Sequence, residues 1–208
     1  MKHLGFIVAT MLLVMACATN KNKELTKIAP MDSGLRLDSF SDCTIAATFS
    51  SKDFNWKENL LTLKVFSEDL YDAVEVNQMR TGDTLVYQGN PLVITSITKD
   101  KNGFTINKGI EEGGAYLTPN GGGTYRATEL DDHSIYTSLG QVRLKLAKDL
   151  TIIDCGENPT DPSDTIRTGQ EAYINHLATQ SKDDFFELNT QVQIENGVVT
   201  EIQRKWIP

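Results

Sequence analysis

From residue 38 to the C-terminus, apolar side chains recur at every second position in short runs separated by turn residues. That is the period of half-buried β-strands. Cys43, Ile45, Ala47 and Phe49 form one such face, and Leu61, Leu63 and Val65 a second. Residues 84–88 and 92–98 read as a hairpin around Gly89-Asn90-Pro91, and Asp100-Lys101-Asn102-Gly103 turns the chain into 104–107. Strands at 115–118 and 124–129 flank Pro119-Asn120-Gly121-Gly122-Gly123, whose glycines permit positive φ. Val142, Leu144 and Leu146 predict one further strand and 151–155 another. At the C-terminus, 191–195 and 198–207 are joined by Asn196-Gly197, the strongest short hairpin signal. One segment switches to helical period: Thr168 and Glu171 read as a capping box, followed by Tyr173, Ile174, Leu177 and Ala178 on one stripe. The expected fold is mainly β, an antiparallel barrel or sandwich of short strands, with one helix near the C-terminal third closing an end.

The first 37 residues differ from the rest. Met1-Lys2-His3 is a short basic start, and residues 4–16 (LGFIVATMLLVMA) are uncharged and mostly apolar. A spanning helix needs roughly 20 apolar residues, so this run is too short to cross a bilayer and fits a cleavable export signal. Residues 18–37 are polar with scattered charge and little apolar period, a composition expected of a flexible tether. The chain therefore divides into a signal at 1–16, a tether at 17–37 and a single β-rich domain at 38–208, with 158–164 (NPTDPSD) a loop inside it.

The residues before the first cysteine, Leu13-Val14-Met15-Ala16-Cys17, resemble the lipobox of bacterial lipoproteins, with a branched apolar residue three places before the cysteine and a small one directly before it. The resemblance implies a diacylglyceryl group on the Cys17 sulfur and cleavage ahead of it. The acyl chains would hold the protein on the cell membrane or the outer membrane with its domain outside the cytoplasm, each buried methylene contributing about 0.8 kcal/mol. Residues 70–155, with Gly82-Asp83 leading into a strand after Val76-Asn77-Gln78-Met79-Arg80-Thr81, also resemble a domain of uncharacterised exported proteins of gut bacteria. No activity is established for that group, so this second resemblance implies export alone.

Charge narrows the partners. Twenty basic and 28 acidic residues give a net charge of −8, and loss of Lys2 with the signal leaves −9. An acidic chain without a basic run is poorly suited to nucleic acid. Outside the cytoplasm Cys43 and Cys155 can oxidise, and a bridge would close a loop of about 110 residues at roughly 4 to 5 kcal/mol in the chain-entropy view; two buried free thiols are the alternative. Asp131-Asp132-His133 offers a carboxylate–imidazole pair, or equally a solvated turn. Trp56, within Lys52-Asp53-Phe54-Asn55-Trp56-Lys57-Glu58, is the aromatic best placed for exposure to a ligand. Phosphate-binding glycine loops, nucleophile elbows and metalloprotease helices are missing from the sequence, so no catalytic residue, metal or cofactor is expected. These features point to a membrane-anchored, non-enzymatic binding or accessory module of the cell envelope with a protein or glycan partner. A carboxylate-dependent envelope hydrolase and a structural envelope component are the alternatives.

Overall fold

A computed structural model describes residues 25–155 and 164–207. Cys17, the signal segment and the 158–163 part of the expected loop lie outside the described residues. In chain order the strands begin with β1 (Lys27–Ile28), β2 (Cys43–Thr48), β3 (Phe54–Asn55), β4 (Leu60–Glu68) and β5 (Leu70–Asp72). A one-turn helix α1 (Ala73–Asn77) precedes β6 (Thr84–Tyr87), β7 (Asn90–Val93), β8 (Ile97–Asp100), β9 (Gly103–Ile106), β10 (Ala115–Gly121) and β11 (Thr124–Thr128). The long β12 (Tyr136–Asp154), β13 (Asp164–Ile166), helix α2 (Gln170–Thr179), β14 (Thr190–Glu195) and β15 (Val198–Arg204) complete the chain. No described helix is long and apolar enough to cross a membrane.

Five strands close on themselves. Around the ring, β2 pairs with β4, β4 with β12, β12 with β15, β15 with β14, and β14 with β2. Every pairing is antiparallel except β12–β15. Counted along the chain the order is 1-2-3-5-4-1, with α2 between the third and fourth strands. This is the Greek-key topology of the OB barrel. Alternation fills the interior with Ile45, Ala47, Leu61, Leu63, Val65, Ile152, Val192, Ile194, Val199 and Ile202, all at most 2 % exposed. Helix α2 adds Ile174 and Leu177 to that core. Closure leaves no open edge among the five ring strands.

The 70–135 region, inserted between the second and third barrel strands, builds a second core. Its five-stranded sheet runs β5-β11-β10-β9-β8, beside a three-stranded sheet β1-β6-β7. Tyr71, Leu85, Ile106, Ala115, Leu117 and Ala127 are buried between them. Asp69 stands at the crossover from barrel to insertion, 1 % exposed, accepting from the Thr137 hydroxyl at 2.7 Å and the Gln88 amide at 3.1 Å. Desolvation raises its pKa despite those two donors.

Four sequence expectations change. Of the tether expected over 17–37, the described part belongs to the fold: Ile28 is 1 % exposed and pairs with Leu85 in parallel, while Leu35 and Leu37 pack on the barrel core. A single buried residue carries no period, so the polar run hid it. Asp83 clasps this strand: its carboxylate accepts from the amides of Thr26 at 2.8 Å and Arg80 at 3.0 Å. Burial pushes the Asp83 pKa up, yet those donors and the Arg80 guanidinium outweigh it and hold the group below the ordinary carboxylate range. The strands expected separately at 142–146 and 151–155 are one strand, β12, whose pairing with β15 shifts register between Leu146 and Thr151. The hairpin expected around Gly89-Asn90-Pro91 turns one residue earlier, at Gln88-Gly89, both with positive φ. Helix α2 starts without the Thr168 capping box: Gly169 in the left-handed region is the N-cap, and the Gln170 side chain fixes the first turn by donating to the Leu150 carbonyl.

Candidate functional site

The outer surface of the β4–β12 pair carries a trough. Because Leu61, Leu63 and Val65 point inward, Thr62 and Lys64 point out, and register places Arg143 beside Thr62 and Gln141 beside Lys64. The segment between β2 and β4 folds over one end of this surface as a 3-10 turn (Ser51–Asp53) followed by β3. Ser50 and Asp53 close that turn reciprocally, the Ser50 amide donating to the Asp53 carboxylate at 2.7 Å. A hollow of about 540 Å³ is lined by Lys52, Trp56, Lys57, Thr62, Arg143 and Glu171, among others. A neighbouring hollow of about 460 Å³, lined by Lys64, Gln141 and Phe186 as well as the shared Asp53 and Thr62, extends it along β4.

Trp56 therefore lines the trough, as a half-buried side chain rather than the exposed loop residue expected from its polar neighbours. Its ring stacks on Phe54 at 4.6 Å and 7°. Phe54 stands edge-on to Phe49 at 5.6 Å, and Phe49 stacks on Phe185 at 4.7 Å. The indole Nε1 is buried without an acceptor among the described residues, and the ring is held by stacking. The aromatic row ends where Arg204 lies over Phe185 at 4.6 Å. A platform fixed from behind presents its remaining face without further loss of side-chain entropy. The cations Lys52, Lys57, Lys64 and Arg143 line the two hollows together with the carboxylates of Asp53, Glu171 and Asp184. Sequence reasoning singled out Trp56 and missed Arg143 and Lys64, since only pairing across 81 residues of chain brings Arg143 to Thr62.

The Asp131-Asp132-His133 segment divides. Asp132 adopts positive φ and lines a separate cleft of about 600 Å³ on the inserted sheet, between the β8–β9 turn and residues 128–132. Its carboxylate is engaged on both oxygens: Arg126 Nη2 donates to Oδ2 at 2.8 Å and the Thr118 hydroxyl to Oδ1 at 3.3 Å. Arg126 Nη1 also donates to the Asp132 carbonyl and to the Ser134 hydroxyl, which donates to Glu68 Oε1 at 2.6 Å. These bonds fasten the loop to β11. Asp131 and His133 do not line the cleft; they pair with each other at 3.4 Å. The three side chains thus do not converge on one cavity, which acid–base chemistry would require. Among the described residues, no group of three or more His, Cys, Asp or Glu side chains is arranged to hold a metal ion.

Cys43 and Cys155 are both free and half-buried. Cys43 opens β2 and Cys155 follows the end of β12, two strands that both pair with β4. Register sets Cys43 level with Ile194 and through it with Val199 of β15, whereas Cys155 lies level with Arg204. The five residue steps from 199 to 204 amount to about 16 Å, well beyond the roughly 7 Å Cα limit of a disulfide. The bridge considered from the sequence is therefore not formed; Cys43 shares the inward face of Ile45 and Ala47 as expected, but Cys155 is out of phase with the buried Ile152 and Asp154. Cys155 Sγ instead lies 3.0 Å from the Arg204 carbonyl. Burial and the neighbouring Asp42 carboxylate push the Cys43 thiol pKa up, away from reactivity. Compared with known proteins, the chain matches no family model, no curated protein and no solved structure.

Proposed function

We propose that the protein is a non-catalytic binding module of the bacterial cell envelope, anchored through lipidated Cys17, that takes an acidic glycan along the β4–β12 trough. The observation that carries this reading is the convergence of Trp56, Lys52, Lys64, Arg143 and the Thr62 hydroxyl on one open surface of a closed barrel. Trp56 offers a face for the apolar side of a sugar ring, the hydroxyl and Gln141 offer hydrogen-bonding groups, and the cations suit carboxylates of uronate or sialate type. Barrels of this topology bind oligomeric ligands across their second and third strands. Fold alone does not assign function, so the residues of the trough carry the weight. A net charge of −9 on the mature chain disfavours a long polyphosphate, which would meet repulsion beyond the trough.

The test is a titration of the unlipidated Cys17→Ser protein with a panel of acidic and neutral oligosaccharides, followed by calorimetry. An acidic oligosaccharide is expected to bind. Trp56→Ala is expected to weaken binding about tenfold or more, in line with roughly 1.4 kcal/mol per tenfold. Arg143→Ala should remove the preference for acidic over neutral sugars, and Asp132→Ala should change neither. Binding lost in Asp132→Ala but retained in Trp56→Ala would move the site to the other cleft and overturn the reading.

A further inference from the structure

The sheet β1-β6-β7 leaves one face unpacked. Ile28, Leu85 and Leu92 share its inner side and pack into the second core. Alternation turns Lys27, Thr84, Val86, Pro91 and Val93 to the outer side, where register sets Lys27, Thr84 and Val93 in one row and Val86 and Pro91 in another. Val93, on edge strand β7, is 57 % exposed, and Leu25, 65 % exposed, lies against Gly82 ahead of the opposite edge strand β1. The outer face is thus mostly apolar, with one lysine.

Where the chain arrives says what covers this face. Eight Cα–Cα steps separate Leu25 from Cys17. Fully extended they reach roughly 28 Å, and as a flexible coil roughly 16 Å. A compact body of this length is roughly 40 Å across, so the segment is too short to carry an acylated Cys17 around to the far side. We infer that the outer face of the β1-β6-β7 sheet, with Leu25, Val86, Pro91, Val93 and Lys27, rests on the lipid surface. The inference depends on the reading of Cys17 as the anchor. A small apolar patch suffices there because the tether keeps it at high effective concentration over the bilayer. Lys27 on the face suits anionic headgroups. The Asp83 clasp on Thr26 fixes the direction in which the chain leaves the sheet.

The test uses the full-length lipoprotein carrying Cys43→Ser and Cys155→Ser, with a single environment-sensitive dye placed through Val93→Cys, Pro91→Cys or, on the other cleft, Leu130→Cys. Each protein is reconstituted into phosphatidylethanolamine–phosphatidylglycerol vesicles and floated. Dye at 93 and at 91 is expected to shift to the blue and to be quenched several-fold more by spin-labelled lipid than dye at 130. Equal quenching at all three sites in floating vesicles would overturn the inference and leave the anchor intact. Failure to float would remove the anchor, and the inference with it. Should the Val93 variant misfold, Pro91 in the same edge strand gives the same reading.

Discussion

Replacing Arg204 by alanine is expected to lower the unfolding free energy by about 3 to 5 kcal/mol, the cost of leaving a buried charge without its partner. For a chain of this size that corresponds to a fall in melting temperature of about 10 °C. Arg204 and Asp154 are register partners on β15 and β12, and their side chains are 6 % and 3 % exposed. The guanidinium donates from Nε to Oδ1 at 2.9 Å and from Nη2 to Oδ2 at 2.6 Å, while Nη1 reaches the Lys182 carbonyl. Tyr173 of α2 donates to the same carboxylate at 2.8 Å. The pair therefore joins the parallel strand contact, the helix and the segment before β14, and its guanidinium supports the ring of Phe185 behind Trp56. Arg204→Met, which keeps the stem but not the charge, should cost nearly as much as alanine. The double variant Asp154→Leu/Arg204→Met should recover part of the loss, because no buried charge remains. Thermal unfolding of the three variants checks this; an Arg204→Ala protein as stable as the parent would show that the pair holds nothing together.

Gly103→Ala is the second large effect. Gly103 opens β9 at φ +135°, and a Cβ there would stand 2.0 Å from the Leu117 carbonyl oxygen on β10. A side chain thus brings both backbone strain and a clash with a strand that cannot retreat, because Leu117 is 1 % exposed and packed in the second core. The two costs together come to roughly 3 kcal/mol or more. Gly122→Ala serves as the control: it also has positive φ, 56°, but nothing within 4 Å of its Cβ position. Strain alone is about 1 kcal/mol. Denaturant titration should therefore separate the two by at least about 2 kcal/mol; equal losses would mean that β9 and β10 are not in this register.

The local chemistry of the chain was legible from its sequence. Alternation located most strands, and Asn196-Gly197 and the Gly121-Gly122-Gly123 run placed two hairpins where the structure has them. Pro91 misled the reading of a third: proline suggests a turn, yet here it occupies edge strand β7, where the missing amide costs no ladder bond. Lys148 and Asp149, two consecutive exposed residues, broke the alternation of β12 and made one strand look like two. Closure of the barrel was hidden because it depends on pairing between distant segments, such as Arg143 with Thr62. For the same reason the distance between Cys43 and Cys155, and the cations that surround Trp56, could not be seen. Trp56 itself was visible as an aromatic among polar neighbours, but its backing by Phe54, Phe49 and Phe185 belongs to the tertiary structure.

Cys17 carries the proposed location, and with it the proposed role and the membrane-facing sheet. Intact-mass and N-terminal analysis of the protein extracted from bacterial membranes addresses it directly. The account predicts a chain that begins at Cys17 and exceeds the mass of residues 17–208 by a diacylglyceryl group on the sulfur, with or without a third acyl chain on the α-amino group. An unmodified chain beginning at any other residue would contradict it.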